Sequence, residues 1–301
     1  MENWIKKIMP TFVKDIYHSS KQKYYSSKSH NVKEKIIQYL ENKRLILPEE
    51  KEVLDYLYKN KLVVFPYDFC NIKDAEKKID VYLDKDKKLK YVLINDKRLY
   101  LKRGWSDSSI ASYIASIKEE QHVLSPHCYI SDNFQVLDGE VIVDAGAAEG
   151  IFALSHIEKA KKIYLFEPDK EWVVALKETF APWKEKVEIV QKYVSSSTSD
   201  QTISLDDYFA DKEKPTFIKA DIEGFESAML NGAMRIISSS KNLKMAVCTY
   251  HNRKDEEELS LFLSENEFTT VFSHGYMIPY LNRDFKSPYL RRGLIRAIKF
   301  F

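Results

Sequence analysis

Val141-Ile142-Val143-Asp144-Ala145-Gly146-Ala147-Ala148-Glu149-Gly150 is an apolar run that ends in an acid and opens into a glycine loop. Two later stretches are built alike. They are Ile163-Tyr164-Leu165-Phe166-Glu167-Pro168-Asp169 and Phe217-Ile218-Lys219-Ala220-Asp221-Ile222-Glu223-Gly224. A short apolar run bounded by such signals reads as a buried parallel strand, and a helical pattern follows each one. Strand–turn–helix repeats make a doubly wound α/β sheet. Such sheets bind ligands at the carboxyl ends of their strands, where these acids stand.

The acids also bear on the ligand. A dinucleotide site needs G-x-G-x-x-G and a helix N-terminus free to hold a pyrophosphate. Here Asp144 precedes the loop and Glu149 lies inside it, and two carboxylates repel a pyrophosphate. They suit S-adenosylmethionine, which carries a sulfonium and an ammonium and no phosphate. Glu167, 23 residues after Asp144, stands where an acid accepts hydrogen bonds from ribose hydroxyls. Asp144, Gly146, Ala147, Glu149, Gly150, Glu167, Pro168 and Asp221 are thus the expected cofactor residues. The plainer alternative is an α/β core whose strand-end acids are incidental.

The 301 residues suit one large domain, or a core with a smaller extension. A net charge of +2 sets up no global field for nucleic acid, and none is expected as a partner. Met1-Glu-Asn-Trp-Ile-Lys-Lys lacks a secretory apolar region, and no run is long enough to span a membrane. Cys70, Cys128 and Cys248 show neither C-x-x-C spacing nor an even count, so a reducing cytoplasm is expected.

Residues 1–122 read as an N-terminal α+β extension and 123–301 as the catalytic core. Trp4, Ile5, Ile8, Phe12, Val13 and Ile16 form one apolar helix face, suited to docking within the protein, on a second copy or on a membrane surface. Helices are expected around Ile36-Ile37-Leu40, from Pro48, and over 108–121. Leu62-Val-Val-Phe-Pro reads as a strand, and Lys90–Leu101 as a hairpin turning at Asn95-Asp96. The core pattern gives strands at 141–145, 163–167, 187–191, 216–220, 244–250, 269–274 and 292–299. Helices fall at 149–158, 169–181, 224–238 and 255–266, the last capped by Asp255 with Glu258 completing a capping box. This is a seven-stranded mixed sheet with helices on both faces.

Methyl transfer from a sulfonium is an in-line displacement, and a hydroxyl acceptor must also lose a proton. Asp221 and Glu223 follow the fourth core strand, while His251 and Asn252 follow the fifth. His251 is the candidate base, since an imidazole neutral near pH 7 accepts a hydroxyl proton; capping the next turn is its structural alternative. Asp221, His251, Asn252 and Glu223 also offer ligands for Mg²⁺ or Mn²⁺, the less favoured arrangement.

Asp-Ala-Gly-Ala-Ala-Glu-Gly, Phe-Glu-Pro-Asp, Lys219-Ala-Asp-Ile-Glu-Gly-Phe-Glu226 with Leu230-Asn-Gly-Ala233, and Cys248-Thr-Tyr-His251 resemble the FkbM family of S-adenosylmethionine-dependent methyltransferases. The resemblance covers about 125–301 and is most specific at Asp-Ile-Glu-Gly-x-Glu. Ser125-Pro-His-Cys-Tyr129 and Ser287–Arg296 resemble members from bacterial polysaccharide gene clusters. The resemblance implies the class I methyltransferase fold, O-methylation of sugar or polyketide-derived hydroxyls, and a cofactor held around Asp144, Gly146 and Glu167. Ala148 departs from the polar residue common in that loop.

The expected acceptor is a sugar hydroxyl on a nucleotide-sugar or capsular polysaccharide precursor. His127 and Tyr129 lie where a segment can fold over the cofactor. His274 and Tyr276 end another late strand. Arg283, Lys286, Arg291, Arg292, Arg296 and Lys299 form a basic C-terminal stretch suited to a diphosphate, or to a solvated face. Alternatives are a methyltransferase for nitrogen or carboxylate acceptors, and a non-catalytic binding module. A nucleic-acid enzyme is disfavoured by the absence of an Asn-Pro-Pro-Tyr-type motif. A homo-oligomer is admissible.

Overall fold

The computed structural model describes residues 22–71, 79–282 and 285–300. The apolar face from Trp4 to Ile16 and Arg283 lie outside them. The described chain opens with helices α1 (Gln22–Glu41) and α2 (Pro48–Lys59). Proline starts α2 because its fixed φ suits a first turn whose amide is unpaired anyway, and Glu50 accepts the Leu47 amide at 3.0 Å. Strands β1 (Tyr82–Asp84), β2 (Leu89–Ile94) and β3 (Lys97–Tyr100) form a small antiparallel sheet. Asn95 and Asp96 take φ of 49° and 63°, the left-handed pair that a two-residue hairpin needs. Helix α3 (Asp107–Glu120) is capped by Ser106, whose side chain accepts the Ser109 amide.

The core alternates β4 (Val141–Ala145), α4 (Ile151–His156), β5 (Lys162–Phe166), α5 (Lys170–Thr179) and β6 (Val187–Val190). A short parallel pair, β7 (Tyr193–Val194) and β8 (Thr202–Ile203), leads to α6 (Leu205–Tyr208) and β9 (Phe217–Ala220). There follow α7 (Glu226–Asn231), α8 (Met234–Ser239), β10 (Asn242–Cys248), α9 (Asp255–Glu265), β11 (Thr269–Phe272) and β12 (Leu294–Phe300). The large sheet runs β11-β12-β10-β9-β4-β5-β6, with β12 antiparallel to both neighbours. This seven-stranded mixed sheet with helices on both faces is the class I methyltransferase architecture.

Alternate strand residues feed two apolar layers. Ile142, Ile163, Leu165, Phe217 and Ala246 pack with α4, α5, α3 and the small sheet on one side. Val141, Val143, Phe166, Ile218, Met245 and Val247 pack with α6–α9 on the other. Each large apolar side chain buried this way contributes roughly 1.5–3 kcal/mol. Helices α1 and α2 make a third cluster with Tyr276, Ile278 and Leu290 from the connection before β12. No helix among the described residues is long and apolar enough to cross a membrane.

Three local expectations need correction. Leu62–Pro66 is no strand: Leu62 and Phe65 pack in apolar clusters, the Val64 carbonyl accepts the Ile278 amide at 2.9 Å, and the Phe65 carbonyl accepts the nearby Tyr67 amide in a turn. The helix expected over 224–238 starts at Glu226 and breaks into α7 and α8 at Gly232, whose carbonyl is turned aside to accept the Asp206 amide. Asp255 is the first helical residue rather than the cap, and its carboxylate reaches back to the Asn252 amide at 2.6 Å, so no capping box forms with Glu258.

Candidate active site

The glycine loop leaves β4 beside the crossing from β4 to β9. Gly146 has φ +75°, and a Cβ there would stand 2.0 Å from the Asp221 carbonyl oxygen, so only glycine lets the two strand ends approach. Gly150 also takes a positive φ and starts α4, while Ala147 is buried. Glu167 sits just beyond β5 with both oxygens engaged. Oε2 accepts the Ala148 amide at 2.9 Å and Oε1 the Asp169 amide at 2.8 Å. Burial outweighs these bonds and lifts its carboxyl to about 7. Pro168 follows, and its carbonyl accepts from Gln191. Glu149 is buried under the Tyr113 hydroxyl of α3 and is raised by burial.

Asp144 turns to a buried partner within the sheet. It is fully buried (0% exposed), and the β4–β9 register sets it directly opposite Lys219, whose ammonium lies 3.0 Å away. The same ammonium donates to the Gly146 carbonyl at 2.7 Å. Burial works against the charge on Lys219, but Asp144 and Asp221 hold it above the usual lysine range. The acid read as a cofactor contact is thus half of a buried ion pair that braces the loop.

Asp221 gathers four side chains. Its Oδ2 accepts the Tyr129 hydroxyl at 2.7 Å and lies 3.5 Å from His127 Nε2. Its Oδ1 accepts the Tyr250 hydroxyl at 3.3 Å and lies 3.3 Å from His251 Nε2. Burial raises this carboxyl, yet His127, His251, Lys219 and the Tyr129 hydroxyl bring it well below the carboxylate range. His127 Nδ1 faces the Gln121 amide at 3.4 Å, which assigns its proton to Nε2, and burial lowers the imidazole to about 4. The neutral, buried His127 and the Tyr129 ring therefore border the site.

His251 behaves differently. Its Nδ1 lies 2.9 Å from Glu226 Oε1, and its Nε2 3.9 Å from Glu223 Oε2. Burial opposes its charge, but Glu226, Glu223 and Asp221 together override burial and raise it to about 10. These carboxylates favour the protonated imidazole of His251 over the neutral form that the sequence suggests. The contacts have ion-pair distances without hydrogen-bond angles, so both ring nitrogens lack a hydrogen-bond partner. Asn252 turns its amide to the Gly224 carbonyl at 3.2 Å. Of the four expected metal ligands, Asp221, Glu223 and His251 converge and Asn252 does not. Asp221, His251 and Glu226 offer donor atoms within 4.8 Å of one another.

The basic C-terminal stretch is largely internal. Arg291 donates to the Tyr250 and His251 carbonyls at 2.6 and 2.9 Å, holding the end of β10. Arg292 pairs with Glu49 at 3.1 Å and covers the Tyr276 ring. Arg296 binds the carbonyls of Cys128, Tyr129 and Ile130, and Lys299 those of Ile237 and Asn266. Lys286 alone of the described set is exposed. His274 lies at the surface near Glu52, and Tyr276 packs with α1 and α2, so neither joins the Asp221 cluster.

Residues 184–287 match the model of the methyltransferase FkbM domain. The matched stretch takes in Asp221, Glu223, Glu226, His251 and Asn252 and leaves Asp144, Glu167, His127 and Tyr129 outside. The solved FkbM methyltransferase of Methylobacillus flagellatus KT is 20% identical over 63% of this chain, with a TM-score of 0.44. This chain spans 60% of that protein's length. An rRNA methylase of Streptococcus thermophilus is 17% identical over 55% of this chain and 90% of its own, at a TM-score of 0.39. SMU.1697c of Streptococcus mutans, solved in complex with SAH, is 15% identical over 55% of this chain and 92% of its own, at 0.38. No curated protein matches the chain.

Sequence reasoning missed Glu226, Tyr250, Lys219, Gln121 and Glu120. Glu120 closes α3 and is pushed well up by burial and then by the charges of Asp221, Glu149 and Glu223, although water still reaches it. The acid three residues after Glu223 was the available signal for Glu226. Nothing in the sequence places Glu120, on another helix, at the strand ends.

Proposed function

We propose that this chain is a cytoplasmic S-adenosylmethionine-dependent O-methyltransferase acting on a sugar hydroxyl of a surface-polysaccharide precursor. The observation that carries the reading is the collection of Glu120, Glu149, Glu167, Asp221 and Glu223 around the ends of β4, β5 and β9. These carboxyls offer acceptors to ammonium and hydroxyl donors and none of the donors a pyrophosphate needs, and a positively charged ligand beside them favours their ionised form. Glu167, Glu149 and the Gly146–Gly150 loop are the residues that would hold it. S-adenosylmethionine, when bound, supplies a methyl group on a positively charged sulfur.

The chain's own task is to orient the hydroxyl and receive its proton. His251 Nε2 is the acceptor in this reading, flanked by Asp221 and Glu223. The surrounding carboxylates favour the protonated imidazole, so it acts only after giving up that proton. Positive charge beside Asp221 and Glu223 weakens their hold on that proton. A hydroxyl acceptor explains such a cluster, whereas a carboxylate acceptor needs no base. Among the described residues, Arg291, Arg292, Arg296 and Lys299 are turned to internal partners, so the reading does not lean on them as a diphosphate clamp. Three free cysteines suit a reducing compartment.

Calorimetric titration tests the reading. Micromolar binding of S-adenosylhomocysteine with none of NAD supports it; the reverse overturns it. Once an acceptor is found, His251→Ala is expected to lower kcat by about 10²–10⁴-fold. A loss under tenfold, with cofactor binding intact, would remove the base and favour a carboxylate acceptor.

A further inference from the structure

We infer that Glu226 is the positioning residue of the site: its buried carboxylate fixes the imidazole of His251 through Nδ1 and so aims Nε2 at the space between Asp221 and Glu223. The inference rests on the role given to His251 above and deepens it.

Glu226 is 1% exposed, at the start of α7. A carboxylate so buried requires a compensating charge or several donors. Its Oε1 accepts the Ile222 amide at 2.9 Å and lies 2.9 Å from His251 Nδ1; Oε2 has no hydrogen-bond partner. His251 is the cation that stands against it. Among the described residues, no arginine or lysine forms an ion pair with it. Helix capping does not explain it, since the carboxylate reaches back four residues to Ile222, ahead of the turn.

That turn is strained. Glu223 has φ +57° and Gly224 φ +93°, and a left-handed non-glycine residue persists only where its surroundings hold it. Glu226 thus ties together the two parts of the site, holding the amide just before Glu223 with the oxygen that faces His251. The imidazole has one nitrogen for each side. Nδ1 lies at ion-pair distance, 2.9 Å, from Glu226, and Nε2 lies toward the carboxylates of Asp221 and Glu223. A carboxylate behind an imidazole sets its tautomer and orientation and stabilises the imidazolium formed when Nε2 takes a proton.

The groups facing His251 come from every side. Asp221 and Glu223 follow β9, Glu226 belongs to α7, Asp255 to α9 and His127 to the segment before β4. Tyr250 stacks against the ring at 4.0 Å, and Arg291 binds the His251 carbonyl. Glu226 is the closest acid to the ring, 2.9 Å from Nδ1.

The experiment is nitrogen-edited NMR of the histidine rings in the full chain, with His251→Gln to assign the signals. Wild type is expected to show a proton on Nδ1 of His251 that exchanges slowly with water. Glu226→Gln is expected to speed that exchange at least tenfold, while S-adenosylhomocysteine affinity stays within threefold. With an acceptor in hand, kcat falls about 10–100-fold and KM moves little. Glu226→Asp restores part of the protection. An unchanged Nδ1 exchange rate in Glu226→Gln would overturn the inference even if kcat dropped. Should Glu226→Gln not fold, the wild-type ring decides: a proton on Nε2 with bare Nδ1 refutes it. Failure of the methyltransferase reading would appear separately, as wild type that does not bind S-adenosylhomocysteine.

Discussion

Replacing Lys219 by methionine should destabilise the protein by about 3–5 kcal/mol, the range seen when one partner of a buried ion pair is removed. The structure places this pair at the severe end. Asp144 is wholly inaccessible, and neither of its oxygens has a hydrogen-bond partner once the 3.0 Å contact to Lys219 is gone. Methionine fills a similar volume, so the loss reads the stranded carboxylate and the broken 2.7 Å bond to Gly146 rather than a cavity. Urea denaturation followed by circular dichroism measures it, and a thermal melt should show Tm lower by about 5–8 °C. Asp144→Asn with Lys219→Met should be more stable than Lys219→Met by about 2 kcal/mol. A loss below 1 kcal/mol, or a double variant no better than the single, would refute the pairing.

The two buried histidines should tilt stability in opposite directions. His127 falls from 6.5 to about 4 on folding, so the unfolded chain binds more protons between those values and stability drops as pH falls from 6.5 toward 4. His251 rises from 6.5 to about 10, so its contribution is complete below 6.5 and is lost as pH rises toward 10. Urea melts at pH 5, 7 and 9 should show His127→Gln flattening the acid slope and His251→Gln the alkaline one; equal effects of both variants at every pH would contradict the assignment. Gly146→Ala should cost more than about 3 kcal/mol, through left-handed backbone and the 2.0 Å approach to the Asp221 carbonyl. A thermal melt within 2 °C of wild type would show that the strand ends are not so closely packed.

Periodicity and punctuation determined most of the fold. Each core strand is an apolar run whose residues must be buried on both faces, and the glycine and acid after it mark where the chain leaves the sheet, so strands β4, β5, β6, β9 and β10 fell within two residues of their observed bounds. The Asn95-Asp96 hairpin was legible because a two-residue turn leaves few choices of backbone. Leu62–Pro66 misled because burial in a cluster and burial in a sheet demand the same residues.

The site was legible in part. Asp221, Glu223 and His251 were readable as strand-end groups, because β9 and β10 are parallel neighbours and their ends must lie side by side. What each group does there was decided only by the tertiary structure. Whether Asp144 meets a ligand or Lys219 depends on the β4–β9 register, which sets the two opposite one another across 75 positions of chain. Whether Arg291 meets a phosphate or two carbonyls depends on where β12 returns antiparallel to β10. Whether His251 is neutral depends on how many carboxylates surround it in space. Sequence patterns report which face a residue is on and where a strand ends, because those follow from local geometry and solubility. Charge states and partners follow from Coulomb interactions over a few ångströms, and only folding brings distant residues that close.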